Sequence, residues 1–300
     1  MMRAYAPGLC LGILLAAASV PAQDNPPAPL VSSTQRVAEA TSPDISAVYC
    51  SGFITDQRVP DEMRLVSGEQ SNVKLIFSRG DVVFINRGTA QGVRVGDRFS
   101  VVRPISEPNK VQWFKWQDKL LKAMGQAYLD AGQLRVTHVG PNIATAEVTF
   151  SCDYMQRGDI IRPYQERPSP PYRTDAKFDH FAAVSGKSVG MLVWGSASSE
   201  AFGKNSTAYI NLGTNQGVKE GDYIRFFRYQ GSLAETVPNT PEYAYKIYGF
   251  GSSPQRYAWN DLPREVIGEG VVMNASHNSC TVFVTDTRID MYPGDYAEIE

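Results

Sequence analysis

The residues that build most active sites are scarce in this sequence. Histidine occurs three times, at His138, His180 and His277. No HExxH, CxxC, GxSxG or paired metal-ligand spacing is present, so zinc hydrolysis, dithiol redox chemistry and a nucleophile elbow have no local signature. No catalytic residue, metal ligand or cofactor site is assigned, and the chain is read as non-enzymatic. A hydrolase with a Ser–His–Asp set drawn from distant segments stays open, because such triads are recognised by geometry. Charge of one sign is also missing. Twenty-nine Lys and Arg stand against 31 Asp and Glu, with no basic cluster, so long-range attraction to nucleic acid is excluded. Long apolar runs are missing as well. Leu9 to Val20 is the longest, too short to span a bilayer comfortably.

That run follows Arg3 and ends in Val20-Pro21-Ala22, the pattern of a cleaved secretory signal over residues 1–22; retention as an anchor is the alternative. The expected location is periplasmic or secreted, with no integral membrane segment after cleavage. Residues 23–46, rich in Pro, Ser, Ala and Gln, read as a disordered tether. Cleavage would leave Cys50, Cys152 and Cys280. Export permits a disulfide, and Cys50 with Cys152, which flank one unit of the repeat described next, is the favoured pair. Three buried free thiols are the alternative.

What the sequence has in abundance is self-similarity. "VFINRGTAQGVRVGD" (Val83 to Asp97) returns as "AYINLGTNQGVKEGD" (Ala208 to Asp222) with nine of fifteen positions identical. Gly132 to Asp159 returns as Gly268 to Asp295 at equal length, and "RLVSG" (Arg64 to Gly68) as "MLVWG" (Met191 to Gly195). Such internal repetition is an architectural statement. Each copy alternates with period two: Phe99 and Val101, then Leu134 and Val136, then Ala144, Ala146 and Val148, with Ser276 to Asn278 at a hairpin tip. The expected fold is all-β, two tandem small β-barrels over 47–163 and 187–300, with a linker at 164–186. Trp116 to Leu129 reads as a short helix within the first copy's insertion.

Gly88, Gly92, Gly96 and their copies Gly213, Gly217, Gly221 precede strands, not a helix, which argues against a phosphate loop. They read as turn glycines with positive φ. Asp97, Asp159, Asp222 and Asp295 each follow a glycine, the last glycines being Gly158 and Gly294, and read as turn-closing carboxylates. Two Arg-Gly-Asp triplets, Arg79 to Asp81 and Arg157 to Asp159, then fall out of the turn chemistry, since the copy of the second is Pro293-Gly294-Asp295.

The string "INxGxxxGVxxGDxxxVxR", followed by a "G-x-V-x-V" strand and a closing "GD", resembles the C-terminal domain of the flagellar assembly protein T family and related exported, LysM-associated bacterial proteins. It is more distantly similar to the β-barrel of the rod-shape-determining protein C family. The resemblance covers about residues 64–163 and 190–300. It implies a small β-barrel module used for binding or assembly in the bacterial envelope, with no catalytic residues to carry over. No LysM segment is present here.

The unrepeated segments hold the aromatics. Trp113, Phe114 and Trp116 lie in the first insertion. Tyr243, Tyr245, Tyr248, Phe250, Tyr257 and Trp259 lie in the second. Such residues bury large areas at interfaces. Trp113, Trp116, Tyr245, Tyr248, Tyr257 and Trp259 are the candidate binding residues, for an envelope protein or, alternatively, for peptidoglycan or another glycan. Lids packed on their own barrels are the plain alternative.

Overall fold

The computed structural model describes residues 41–106, 112–174, 178–196, 201–229 and 263–300. Helix α1 (Ile45–Tyr49) opens this body, capped by the Asp44 carboxylate, which accepts from the Ala47 amide at 2.6 Å. The tether expected over 23–46 is therefore ordered from Thr41, which bridges to Tyr172. The first copy then supplies β1 (Phe53–Thr55), β2 (Leu65–Gly68), β3 (Ile76–Phe77), β4 (Val82–Ile85), β5 (Arg98–Pro104), α2 (Gln117–Met124), β6 (Gln126–Val139), β7 (Ala144–Ser151), β8 (Met155–Gln156) and β9 (Ile160–Pro163). The second supplies β10 (Val189–Gly195), β11 (Thr207–Ile210), β12 (Tyr223–Arg228), β13 (Glu265–Ala275), β14 (Cys280–Thr287) and β15 (Tyr296–Ile299).

In the second copy the described strands close a barrel in the order β10-β11-β14-β13-β12-β15. The first copy repeats this order as β2-β4-β7-β6-β5-β9, with β1 added on β6. Period two explains both. Phe99, Val101, Leu134, Val136, Ala144, Ala146 and Val148 point into one core; Ile224, Phe226, Val272, Val282 and Val284 point into the other. Each interior is stopped by a phenyl ring. Phe77 and Phe202 occupy aligned positions, and an added Cβ on Gly68 or Gly195 would lie 2.3 and 1.8 Å from those rings. The glycine shared by "RLVSG" and "MLVWG" makes room for this plug.

The two units differ at one seam. In the second copy Val189, Gly190 and Met191 pair with Glu298, Ala297 and Tyr296. In the first, the same seam is one bridge, Arg64 to Ile160, with the Ile161 amide donating to Met63 at 2.8 Å. The first unit is thus a curled half-barrel. Residues 57–63 leave β1 as an irregular loop that includes Pro60, which has no amide to donate, and they do not extend β2 along β9. The edge of β9 beyond Ile161 has no strand partner among the described residues.

The first insertion departs from expectation. Its helix ends at Met124, because Gly125 turns the chain at φ 115°, and Gln126 to Leu129 belong to the long strand β6. Helix α2 packs Leu121 and Met124 with Ile54 and Ala127 against Val193, Trp194 and Tyr209 on the outer wall of the second barrel. Gln117, fully buried, receives the Trp113 amide at 2.8 Å and donates to the Val193 carbonyl at 2.8 Å. The Tyr209 hydroxyl donates to the Ser51 carbonyl at 2.6 Å, and the Ser279 hydroxyl to that of Ile54 at 2.7 Å. The expected linker begins as irregular chain tied down on both sides: Arg167 forms a two-pronged pair with Asp130 at 2.7 Å, and Tyr172 packs on Phe283. Cys50 and Cys152 form a disulfide, and Cys280 is a buried free thiol.

Candidate functional site

The repeated polar residues are consumed by the architecture. Asn86 and Asn211 accept from the amides of Arg64 and Met191, at 2.7 and 2.6 Å, and pin the first strand of each unit. Gln91 and Gln216 accept from the amides of Gly88 and Gly213, at 2.8 and 2.9 Å. Asp97, Asp222, Asp159 and Asp295 each accept from the amide three residues earlier, at 2.8 Å in every case. Gly92, Gly96, Gly217 and Gly221 take the expected positive φ. Gly88 and Gly213 do not; they are extended at φ −142°. An added Cβ there would lie 2.2 Å from the Gly140 carbonyl and 2.3 Å from that of Ser276, so close backbone approach is what requires glycine.

The second Gly-Asp turn of each copy holds a buried ion pair. Arg103 grips Asp159 at 2.8 and 2.9 Å; Arg228 grips Asp295 with two bonds of 2.6 Å. Asp159 is 1% exposed and Asp295 fully buried. Burial pushes the Asp295 carboxyl above the usual range against the opposing pull of Arg228. Fork-to-carboxylate geometry makes these strong, directional bonds, and removing one partner would strand a buried charge. The Arg157–Asp159 triplet therefore presents no free carboxylate, and Asp81 of the other triplet is held by Lys74 at 2.6 Å.

The sequence-named aromatics do not converge. Trp113 is half-buried and stacks on Tyr292 of the second unit at 6.2 Å, and Phe114 is buried. Trp116 is 60% exposed, with the ammonium groups of Lys115 and Lys119 at 4.9 and 5.8 Å from its ring. Tyr245, Tyr248, Tyr257 and Trp259 lie outside the described residues, as do Tyr243 and Phe250. The histidines are separate in role. His138 is exposed on β6; His180 bonds to the Val266 carbonyl at 2.8 Å; His277 sits on a hairpin tip with Asp56 at 3.4 Å on one ring nitrogen and Gln57 at 3.0 Å on the other. No serine or cysteine stands beside the His277–Asp56 pair as a hydrogen-bonded nucleophile among the described residues. No group of three or more metal-ligating side chains forms among them either.

A different feature does converge. Where the half-barrel fails to close, a cleft of about 590 Å³ opens between the loop after β1, the free edge of β9 and the hairpin tip of the second barrel. Its charged lining is Arg58, Arg87 and Arg162 against Glu62; Phe53, Met63 and Ile161 provide apolar floor. This volume lies in the range of ligand pockets. Arg58 is spoken for by Asp61 at 3.3 Å, but neither Arg87 nor Arg162 has a hydrogen-bonded or ion-paired partner among the described residues. Burial, with the nearby positive charge of Arg167, lowers the Arg162 guanidinium below its usual range against the opposing pull of Asp130. None of the described sequence-named aromatics lines the cleft. No described helix is long and apolar enough to cross a membrane.

Fold and cleft together define a class: a duplicated small-β-barrel protein whose two units are clasped side by side around an open, cation-lined groove. Neither a family model nor a curated protein matches the chain.

Proposed function

We propose that this is an exported, non-enzymatic binding or scaffolding protein of the bacterial cell envelope, which presents the inter-unit cleft to an envelope protein. The observation that carries this reading is the cleft itself. It lies between two units held in fixed register by a buried clasp, and two of its cations, Arg87 and Arg162, make no hydrogen bond or ion pair among the described residues, whereas the repeated Asn, Gln and Asp side chains are bonded within the fold. A pre-formed groove on a rigid frame spends little free energy on ordering when it binds. The envelope location rests on the signal-like residues 1–22 and on the resemblance to exported modules. The test places a photo-crosslinking amino acid at Gln57 or Gln165 on the cleft, and at exposed Val73 as control, in cells of the source organism. One envelope protein captured from both cleft positions and absent from the control is expected. Equal adducts at all three positions would refute the reading.

One observation favours peptidoglycan as the partner: Trp116 is an exposed aromatic residue, the kind a sugar-stacking platform uses, although Lys115 and Lys119 reach over its ring. In that case Trp116→Ala, or Trp259→Ala in the second insertion, abolishes retention on purified cell wall with folding intact.

A further inference from the structure

The two copies disagree in charge at the seam. Arg162 on β9 aligns with Glu298 on β15. In the closed barrel that position is self-satisfied: Glu298 is fully buried, receives Arg264 at 2.7 and 2.8 Å and faces Arg225 at 3.4 Å. Chain from 182 to 185 covers it, with the Ala182 and Ala183 carbonyls accepting from Arg264. In the half-barrel the same position carries a cation that forms no ion pair among the described residues, the nearby Asp130 being gripped by Arg167, and the cleft lies open above it. Arg87 repeats the pattern. It aligns with Leu212, which is buried in the second barrel's core, yet it lines the cleft as a second unanswered cation.

We propose that the cleft binds an acidic segment of extended polypeptide, laid along the free edge of β9 with a side-chain carboxylate held by Arg162 and Arg87. This names the ligand chemistry of the binding role proposed above and rests on that reading. Two features select a peptide over other anions. First, the edge of β9 beyond Ile161 offers carbonyl acceptors only, since the Ile161 amide is taken by the Met63 carbonyl and Pro163 has no amide; the main-chain N–H groups of an extended peptide meet such acceptors and an anionic phosphate does not. Second, the aromatic ring of the cleft is closed to stacking. Phe53 is only 6% exposed, lies on Tyr128 at 5.1 Å, and has the Arg162 guanidinium 5.1 Å from its centroid. Rings of sugars or bases find no free face there, whereas a carboxylate meets two guanidinium groups suited to planar, bidentate contact.

The probe is a fluorescein-labelled decapeptide of alternating Val and Thr carrying two central aspartates, titrated by polarisation into the purified chain. Its Asp→Asn counterpart, inorganic phosphate and polygalacturonate are the comparisons. Saturable binding is expected, weakened at least tenfold by Asp→Asn in the peptide and by Arg162→Gln in the protein. Arg162→Lys should recover part of it, and rising salt should weaken it. Circular dichroism and melting confirm the fold; if Arg162→Gln does not fold, Arg87→Gln carries the test at the rim. Equal affinity for both peptides, or full affinity in Arg162→Gln, overturns the proposal. So does complete displacement by millimolar phosphate, which would make this a small-anion site, or tighter binding of polygalacturonate, which would make it a glycan site. If cleft crosslinking captures an envelope protein and Arg162→Gln leaves that capture unchanged, this inference falls while the scaffold reading stands.

Discussion

Gly88→Ala should destabilise the protein more than Gly92→Ala, although Gly92 is the residue with the left-handed backbone. At Gly92, φ is 83° and nothing lies within 4 Å of an added Cβ. The cost there is backbone strain alone, about 1–2 kcal/mol for an L-residue in that region. At Gly88 the backbone is extended and open to any residue, but the new Cβ would sit 2.2 Å from the Gly140 carbonyl. The two loops must part by about 1 Å to restore normal contact. That retreat breaks the bonds from the Thr89 amide to Gly140 and from the Ala90 amide to Pro141, both 3.0 Å. Two lost bonds, with their groups partly stranded, cost about 2–4 kcal/mol. Urea titration of both variants reads this directly, as does a fall in Tm of roughly 5–15 °C for Gly88→Ala against about 2–6 °C for Gly92→Ala. The duplication supplies a replicate: Gly213 meets the Ser276 carbonyl at 2.3 Å, and Gly217 meets nothing within 4 Å. A Gly92→Ala cost equal to or above that of Gly88→Ala, repeated at Gly217 and Gly213, would refute the close-approach argument.

Three further outcomes follow from the packing. Gln117→Ala strands the Val193 carbonyl and the Trp113 amide in the clasp; a loss of about 2–4 kcal/mol in urea is expected, with proteolysis appearing between the units. For Glu298, burial opposes ionisation, but Arg264, the Ser185 amide and Arg225 outweigh it and hold the carboxyl below its usual value. Its contribution is therefore complete above the ordinary glutamate range, about pH 4.3, and is lost as pH falls through the lower folded value. Glu298→Gln should cost about 3 kcal/mol or more at pH 7, and the gap to wild type should shrink on acidification below about pH 4; a gap constant from pH 7 to pH 3 would contradict this. Cys280 is sealed in the second core, where burial pushes its thiol far up. A thiol reagent should leave it unreacted in native protein and titrate it in guanidinium, with Cys50 and Cys152 appearing only after reduction.

The architecture was legible because it was written twice. Identity at Asn86 and Asn211, or at Gln91 and Gln216, marks side chains that bond to the backbone of their own unit, and such bonds recur wherever the fold recurs. Period two placed the core residues correctly for the same local reason. The first insertion was not legible. Trp113 and Phe114 look like a presented surface in sequence, but no local rule says that α2 will meet the wall formed by Val193, Trp194 and Tyr209 some seventy residues later. Nor does alternation report that residues 57–63 miss β9 and leave one unit open.

The cleft was encoded in the disagreements between copies rather than the agreements. A duplicated core tolerates substitution by other apolar groups, so Val101 opposite Phe226 is silent about function. Arg87 opposite Leu212 and Arg162 opposite Glu298 are not silent, because each sets a cation where the sister unit has a core methyl cluster or a satisfied carboxylate. A guanidinium left half-buried without an ion-pair partner costs stability, and for Arg162 only the face of Phe53 and the more distant charge of Asp130, itself held by Arg167, offset that cost. One copy keeps the closed seam and its internal salt bridge, which suits a unit that serves as frame. The other gives up the seam, opens the edge of β9 and lines it with positive charge. The asymmetry at these two positions therefore supports the proposed division between frame and binding face, with that face in the half-barrel rather than in the aromatic insertions.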